Sequence, residues 1–283
     1  MSTDTRPLDL GKLADRLEQD AAGIWRCPGQ AAVSYPAEGN DLCFQLEDKS
    51  FWFQHRNRVL QELVRQFPPG AGPFLDVGGG NGYVARGLAE VGLQTILVEP
   101  GPSGARHAIE RGLSNVVCAT LEDAAFHSGS VGGIGLFDVL EHIQDDEAFL
   151  RKLAPVLAAD GRLYLTVPAF GLLWSSDDVY AGHYRRYNRG NLTCVLRAAG
   201  FVVEYVTCFF WLLPAPVFLL RSLPTRLGLR RKLNEATAER EHELKNGRIQ
   251  RAFLRLLNRE IGWIRARRSL PVGGSILAVA RRR

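Results

Sequence analysis

The chain reads as an α/β protein built on a doubly wound, seven-stranded, mostly parallel sheet, with an N-terminal arm and a helical insertion between the last two strands. Three observations predict this. Phe74-Leu75-Asp76-Val77 is a short apolar run that breaks into Gly78-Gly79-Gly80-Asn81-Gly82, and a helical stretch follows from Tyr83 to Glu90. A second apolar run, Thr95 to Val98, ends on Glu99. Strand-like and helix-like runs then alternate as far as residue 208, the order expected of parallel strands joined by helices.

Residues 1–70 form the arm and a lid helix. A short helix is expected over Leu8–Leu17, with turns at Pro28 and Pro36. A longer helix opens at Ser50, runs to Phe67 and is stopped by Pro68-Pro69-Gly70. Its aromatic start leaves two readings open. Phe51, Trp52, Phe53, His55 and Arg56 line or cover a pocket, or Trp52, Val59 and Leu63 simply pack the helix on the sheet. The core, 71–208, continues with strands at Asn115–Thr120, Gly132–Leu140, Arg162–Val167 and Phe201–Cys208. Ala148–Leu157 is amphipathic, with apolar residues at 149, 150, 153, 156 and 157, and Leu192–Ala199 is a further helix. In the insertion, 209–270, the apolar run Phe209–Leu220 is too short and too broken by Pro214 and Pro216 to span a bilayer. It reads as a buried cap, or as a peripheral membrane contact over residues 209–232. Helices are expected at Glu235–Leu244 and Ile249–Ile264. Residues 271–283 supply the seventh strand, Ser275–Ala280, and a basic tail.

Alternating glycines remove Cβ atoms where a ligand approaches the backbone. An acid ending the next strand is placed to hydrogen-bond both ribose hydroxyls of a nucleoside. The spacing Asp76-x-Gly78-x-Gly80-x-Gly82 differs from the dinucleotide fingerprint, and Asp76 would repel a pyrophosphate. This pattern resembles motif I of the class I S-adenosylmethionine-dependent methyltransferases, and residues 74–208 follow the family in order and spacing. The resemblance implies a Rossmann-like sheet, a methyl-transfer activity and S-adenosyl-L-methionine as cofactor. It places the cofactor on Asp76, Gly78, Gly79, Gly80, Gly82, Glu99, Leu121, Glu122 and Asp138. Thr120 stands where the family often carries Asp. The chain is most similar to the small-molecule members, of the ubiquinone-biosynthesis O-methyltransferase kind.

Ligands of such sheets bind beyond the carboxyl ends of the strands, so the loops after strands four and five face the transferred methyl. These loops carry Asp138, Glu141 and His142, then Trp174, Asp177, Asp178 and Tyr180-Ala181-Gly182-His183-Tyr184-Arg185-Arg186-Tyr187. A hydroxyl acceptor needs a base, for which His183 is the first choice and His142 the second. Trp52, Phe53, Trp174, Tyr184, Arg185 and Tyr187 are the expected acceptor contacts. His183 has a structural alternative, a hydrogen bond to Asp177 or Asp178. Asp138-x-x-Glu141-His142 also resembles an element of cation-binding quinone-precursor and RNA-end methyltransferases, but no metal is assigned on that basis.

With 283 residues, 46% of them hydrophobic, the chain has enough apolar sequence for one α/β domain with additions. The formal charge is +5, concentrated in arginines after residue 221, including Arg230, Arg231, Arg265, Arg267 and Arg268. Five cysteines show no metal spacing, and Cys27 with Cys43 offers only half of a closed zinc site. A cytoplasmic setting, with peripheral membrane association as an option, is expected. The expected function is methyl transfer to a small or lipid-like hydrophobic acceptor, at oxygen. An RNA methyltransferase and a catalytically inactive cofactor-binding scaffold are the alternatives, and a nucleic-acid partner is ranked low because no RNA-binding module is recognisable.

Overall fold

Side-chain alternation along the strands assigns each residue to one of two apolar layers. Leu75 and Val77 join one core cluster with Ile134, Leu136, Leu163 and Leu165, while their neighbours Phe74, Phe137 and Tyr164 join the other. The computed structural model describes residues 8–28, 37–229 and 248–283. Among them, one sheet contains β1 (Glu18–Gln19), β2 (Trp25–Arg26), β3 (Phe74–Val77), β4 (Thr95–Val98), β5 (Val116–Cys118), β6 (Val131–Phe137), β7 (Leu157–Pro168), β8 (Phe201–Phe209) and β9 (Ser275–Arg282). Their spatial order is β1-β2-β5-β4-β3-β6-β7-β9-β8. Strands β2 to β7 pair in parallel wherever they touch, and β9 runs antiparallel between β7 and β8. The order reverses at β3 and β6, so a crevice opens beyond their carboxyl ends.

The sheet therefore has nine strands where the sequence predicts seven. The extra pair is a small hairpin that adds β2 to the edge of β5. Its turn is closed by the Asp20 carboxylate, which accepts from the Ala22 and Ile24 amides and from Arg26. The helix expected over Leu8–Leu17 is instead a single 3-10 turn at Leu10–Lys12 followed by a bridge from Ala14 to Phe126. Leu10, Ala14 and Leu17 sit three and four apart because all three reach the same core, not because they share a helix.

Helix Phe51–Gln66 forms as expected, capped by the Ser50 hydroxyl, and packs Val59, Leu60 and Leu63 on the second layer. Helix Asp146–Leu153 is shorter than the apolar pattern implies, because residue 157 already begins β7. After β8 the chain turns into a helical rod over 214–226 whose middle, Phe218–Ser222, is widened to π geometry. Pro224 removes the N–H that would close the preceding turn, which accounts for the widening. The helix expected at Ile249–Ile264 is two, Arg248–Leu257 and Arg259–Arg265, divided at Asn258. The turn at Pro36, the helix at Glu235–Leu244, and Arg230, Arg231 and Lys232 lie outside the described residues.

Candidate active site

The loop from β3 is shaped by backbone demands. Gly78, Gly80 and Gly82 all take positive φ, at 68°, 55° and 75°. A Cβ on Gly79 would lie 2.4 Å from Leu97 and 2.5 Å from an Asp76 oxygen, so only glycine fits there. Glu99 braces the loop, its carboxylate accepting from the Gly80 amide at 2.9 Å and the Gly101 amide at 2.7 Å. Burial raises its pKa, and these two amides pull it back. Asp76 lies wholly buried beneath the glycines, and no well-formed hydrogen bond reaches either of its oxygens. Burial pushes its carboxyl up to about 7 against the pull of the Arg56 charge.

Arg56, from helix Phe51–Gln66, crosses to β6. It donates to the Phe137 carbonyl at 2.8 Å and pairs with Asp138 at 2.7 Å, with its guanidinium 5.2 Å from the Trp52 ring centre. Asp138 also accepts from the Thr166 hydroxyl and takes φ 60°, a strained angle for a non-glycine residue. A cavity of ≈ 690 Å³ opens beside it, lined by Phe51, Trp52, Phe53, Asp138, Glu141, Asp178, His183, Arg186, Phe210, Val217, Leu220 and Phe253 among others. The residues named come from five separate stretches of chain. Trp52 stacks on Phe210 with centroids 5.4 Å apart, and Phe51 meets Phe253 edge-on.

At the polar end, His183 Nδ1–H donates to Asp178 at 2.9 Å, and Arg186 donates to the same oxygen at 2.8 Å. Burial would raise Asp178, yet the bonds from His183 and Arg186 hold its carboxyl below the ordinary value. With Nδ1 engaged, His183 keeps Nε2 as the basic nitrogen. His142 lies edge-on against His183, 4.7 Å between centroids, and is not among the cavity-lining residues. Burial and the His183 charge hold His142 down at about 4. Glu141 is buried with no partner for either oxygen, and burial and Asp138 raise its carboxyl well above the usual range. Glu141, His142 and His183 each bring one ligand atom within 4.8 Å of the others.

A family model described as a methyltransferase domain matches residues 51–206. The chain belongs to this methyltransferase family. A probable S-adenosylmethionine-dependent methyltransferase of Mycobacterium tuberculosis is 30% identical over 182 residues, covering 62% of this chain and 66% of the relative. The chain thus spans just under two thirds of that relative's length. A ubiquinone biosynthesis O-methyltransferase of Xanthomonas axonopodis pv. citri is 28% identical over 52% of this chain and 70% of its own. Among solved structures, Haemonchus contortus phosphoethanolamine N-methyltransferase 2 shares the fold at TM-score 0.55 and 20% identity, over 91% of this chain and 61% of that one. A Thermotoga maritima methyltransferase shares it at 0.52 and 17%, over 88% and 100%.

Within this member of the family the predicted residues divide. The glycine loop, Asp76, Glu99 and Asp138 gather around the crevice, and Trp52, Phe53 and His183 line the cavity. Others go elsewhere. Tyr187 is buried in the core, with its hydroxyl on Asp146 at 2.7 Å, and Arg185 pairs with the same carboxylate. Tyr184 faces outward at 56% exposure, and Trp174 is not part of the cavity lining. Leu121 and Glu122 border a separate hollow of ≈ 160 Å³, where Glu122 pairs with Lys152. Thr120 caps the short helix that follows β5, bonding Asp123. Tyr187 and Arg185 are thus held at Asp146, away from the acceptor cavity where the sequence reading put them, and Tyr184 and Trp174 are not among the residues lining it. The bridge from Tyr187 to Ala169 draws that end of the loop against the sheet and turns its ring inward. The apolar run Phe209–Leu220, read from sequence as a buried cap, supplies Phe210, Val217 and Leu220 to the cavity wall, whereas the sequence reading missed Phe253.

The residues present fit S-adenosylmethionine. A glycine-only loop and three acids, Asp76, Glu99 and Asp138, at the carboxyl ends of three neighbouring strands answer its lack of phosphate and its positive charges.

Proposed function

We propose that this chain transfers a methyl group from S-adenosylmethionine to an oxygen of a small or lipid-like hydrophobic acceptor. The cavity carries the reading, because aromatic and aliphatic walls lead to one polar end beside Asp138 and the glycine loop. Bound adenosylmethionine supplies an electrophilic methyl on a sulfonium. Gly78, Gly79, Gly80 and Gly82 would seat it, and Glu99 would hold its ribose diol. Asp76 and Asp138 offset its positive charge. Trp52, Phe210 and Val217 hold the acceptor and exclude water. The donor would supply the methyl and leave as its neutral thioether, and His183 Nε2 would take the proton that the acceptor's hydroxyl gives up. Asp178 orients His183 for this and stabilises the imidazolium.

A divalent cation is a second reading, favoured by the Glu141–His142–His183 cluster and the unpartnered Glu141 oxygens. These three side chains would hold it, and it would polarise an acceptor oxygen. His183 cannot be base and ligand at once. Titrating Mg²⁺ or Zn²⁺ into the protein by calorimetry separates the two uses, since absence of heat removes the cation.

RNA methylation ranks below these readings. Arg265 is engaged by Glu62, and Arg267 by the Gln66 carbonyl and the Phe67 ring, so part of the basic charge is already in use. An inactive scaffold ranks lower still, because the loop, Glu99 and the His183–Asp178 pair are all in place. Labelled cofactor offered lipid extract and total RNA tests all three. Label in lipid supports the proposal, label in RNA alone replaces it, and label in neither favours the scaffold.

A further inference from the structure

Nine of the eleven exposed large apolar side chains among the described residues fall on two segments, 172–184 and 219–229. The segments are adjacent in space. Ser176 N–H donates to the Thr225 hydroxyl at 3.2 Å, Arg226 donates to the Leu172 carbonyl at 3.0 Å, and Arg221 pairs with Asp177 at 2.9 Å. Leu219, Leu223 and Leu227 recur every fourth residue and form one stripe, 58%, 36% and 66% exposed, while Ser222 is buried. Val179 and Tyr180 extend the patch at 66% and 62%. Leu220 is 64% exposed and also lines the cavity, so this patch borders the cavity mouth. A contiguous apolar surface of this kind on a folded chain marks a contact with something apolar.

We infer that this surface docks on an anionic lipid bilayer, with the cavity mouth facing the membrane. The inference rests on the proposed hydrophobic acceptor, which would enter from the lipid without crossing water. Charge selects the occupant. Arg226 stands on the same helical rod as the leucines and is held by a neutral carbonyl, so its charge meets anionic headgroups while apolar side chains enter the acyl boundary; Arg221 beside it is paired with Asp177. Only Leu256 and Val272 are exposed large apolar residues elsewhere among the described residues, too few for a complementary face. No helix among the described residues is long and apolar enough to cross a membrane, so the contact is interfacial.

The test is sedimentation of the full chain with vesicles of phosphatidylcholine alone and of equal parts phosphatidylcholine and phosphatidylglycerol. The chain should pellet with the anionic vesicles and stay in solution with the neutral ones, less so at high salt. Leu223→Glu/Leu227→Glu should weaken the partition at least about tenfold, since each buried leucine contributes that much or more, with an unchanged melting temperature and unchanged affinity for S-adenosylhomocysteine. A wild-type chain that ignores both vesicles overturns the inference. So does a dimer, seen by size-exclusion chromatography, that the same substitutions dissolve. Vesicle binding without methyl transfer would count against the proposed activity and leave this surface standing.

Discussion

Glu99 already accepts two backbone amides, so each of its oxygens has a lone pair left for a ligand hydroxyl. Glu99→Ala should weaken binding of S-adenosylhomocysteine by about 1–3 kcal/mol, the cost of lost charged hydrogen bonds. Calorimetry reads this directly, and an unchanged Kd contradicts the ribose role. Asp76 makes a prediction in pH. Its folded carboxyl sits at about 7 against an ordinary 3.8, so between those values the folded chain holds more protons than the unfolded one. Asp76 therefore favours folding most in acid, and that contribution is lost as pH rises through 7. Asp76→Asn should gain stability over the wild type on going from about pH 5 to about pH 8, followed by urea midpoints, while donor affinity falls. A pH-independent difference would show that Asp76 finds a partner in solution. His183→Ala should slow turnover by roughly 10²–10⁴, the range of a lost general base, without moving the Kd for S-adenosylhomocysteine. Normal turnover would eliminate that base.

Helix Phe51–Gln66 owes its position to residues some two hundred places later. His55 Nε2 meets Glu260 at 2.5 Å, both fully buried, and the same carboxylate accepts from the Phe210 and Trp211 amides. Phe210 takes φ 58°, so Glu260 fixes a strained cavity wall and the lid helix together. Glu260→Ala should cost about 3–5 kcal/mol, because it takes the Nε2 partner from buried His55 and the acceptor from two amides; urea unfolding checks it, and a loss under about 1 kcal/mol would mean the site relaxes freely. Sequence alone carries no trace of this link. The glycine loop, Glu99 and the succession of strands along the chain were legible because each rests on local backbone demands or on a short, wholly buried apolar run. The hairpin at 18–26 was not, since two-residue strands show no alternation and exist only through the edge of β5. Tyr187 misled because an aromatic-rich loop looks the same whether its rings face a ligand or, as here, an inward carboxylate at Asp146.

Over the whole molecule, the N-terminal helix Ala37–Glu47 leans on the cofactor side. Glu47 accepts from Asn81 and Arg111, Asp41 accepts from Ser103, and Phe44 stacks on His107 at 4.1 Å. Burial raises Glu47 despite Arg111, so this clasp holds a partly uncompensated acid. Adding S-adenosylhomocysteine should slow amide hydrogen exchange over residues 37–47, read by mass spectrometry; equal exchange rates would detach this helix from cofactor capture. The placement of β9 reaches further, into biosynthesis. Residues 275–282 slot between β7 and β8, so a ribosome releases both flanking strands well before the one that joins them. Until then β7 keeps an open edge and β8 has no sheet neighbour, a template for mispairing between nascent chains. A product interrupted in translation before residue 275 would therefore be waste for proteases and chaperones, not an enzyme of reduced activity.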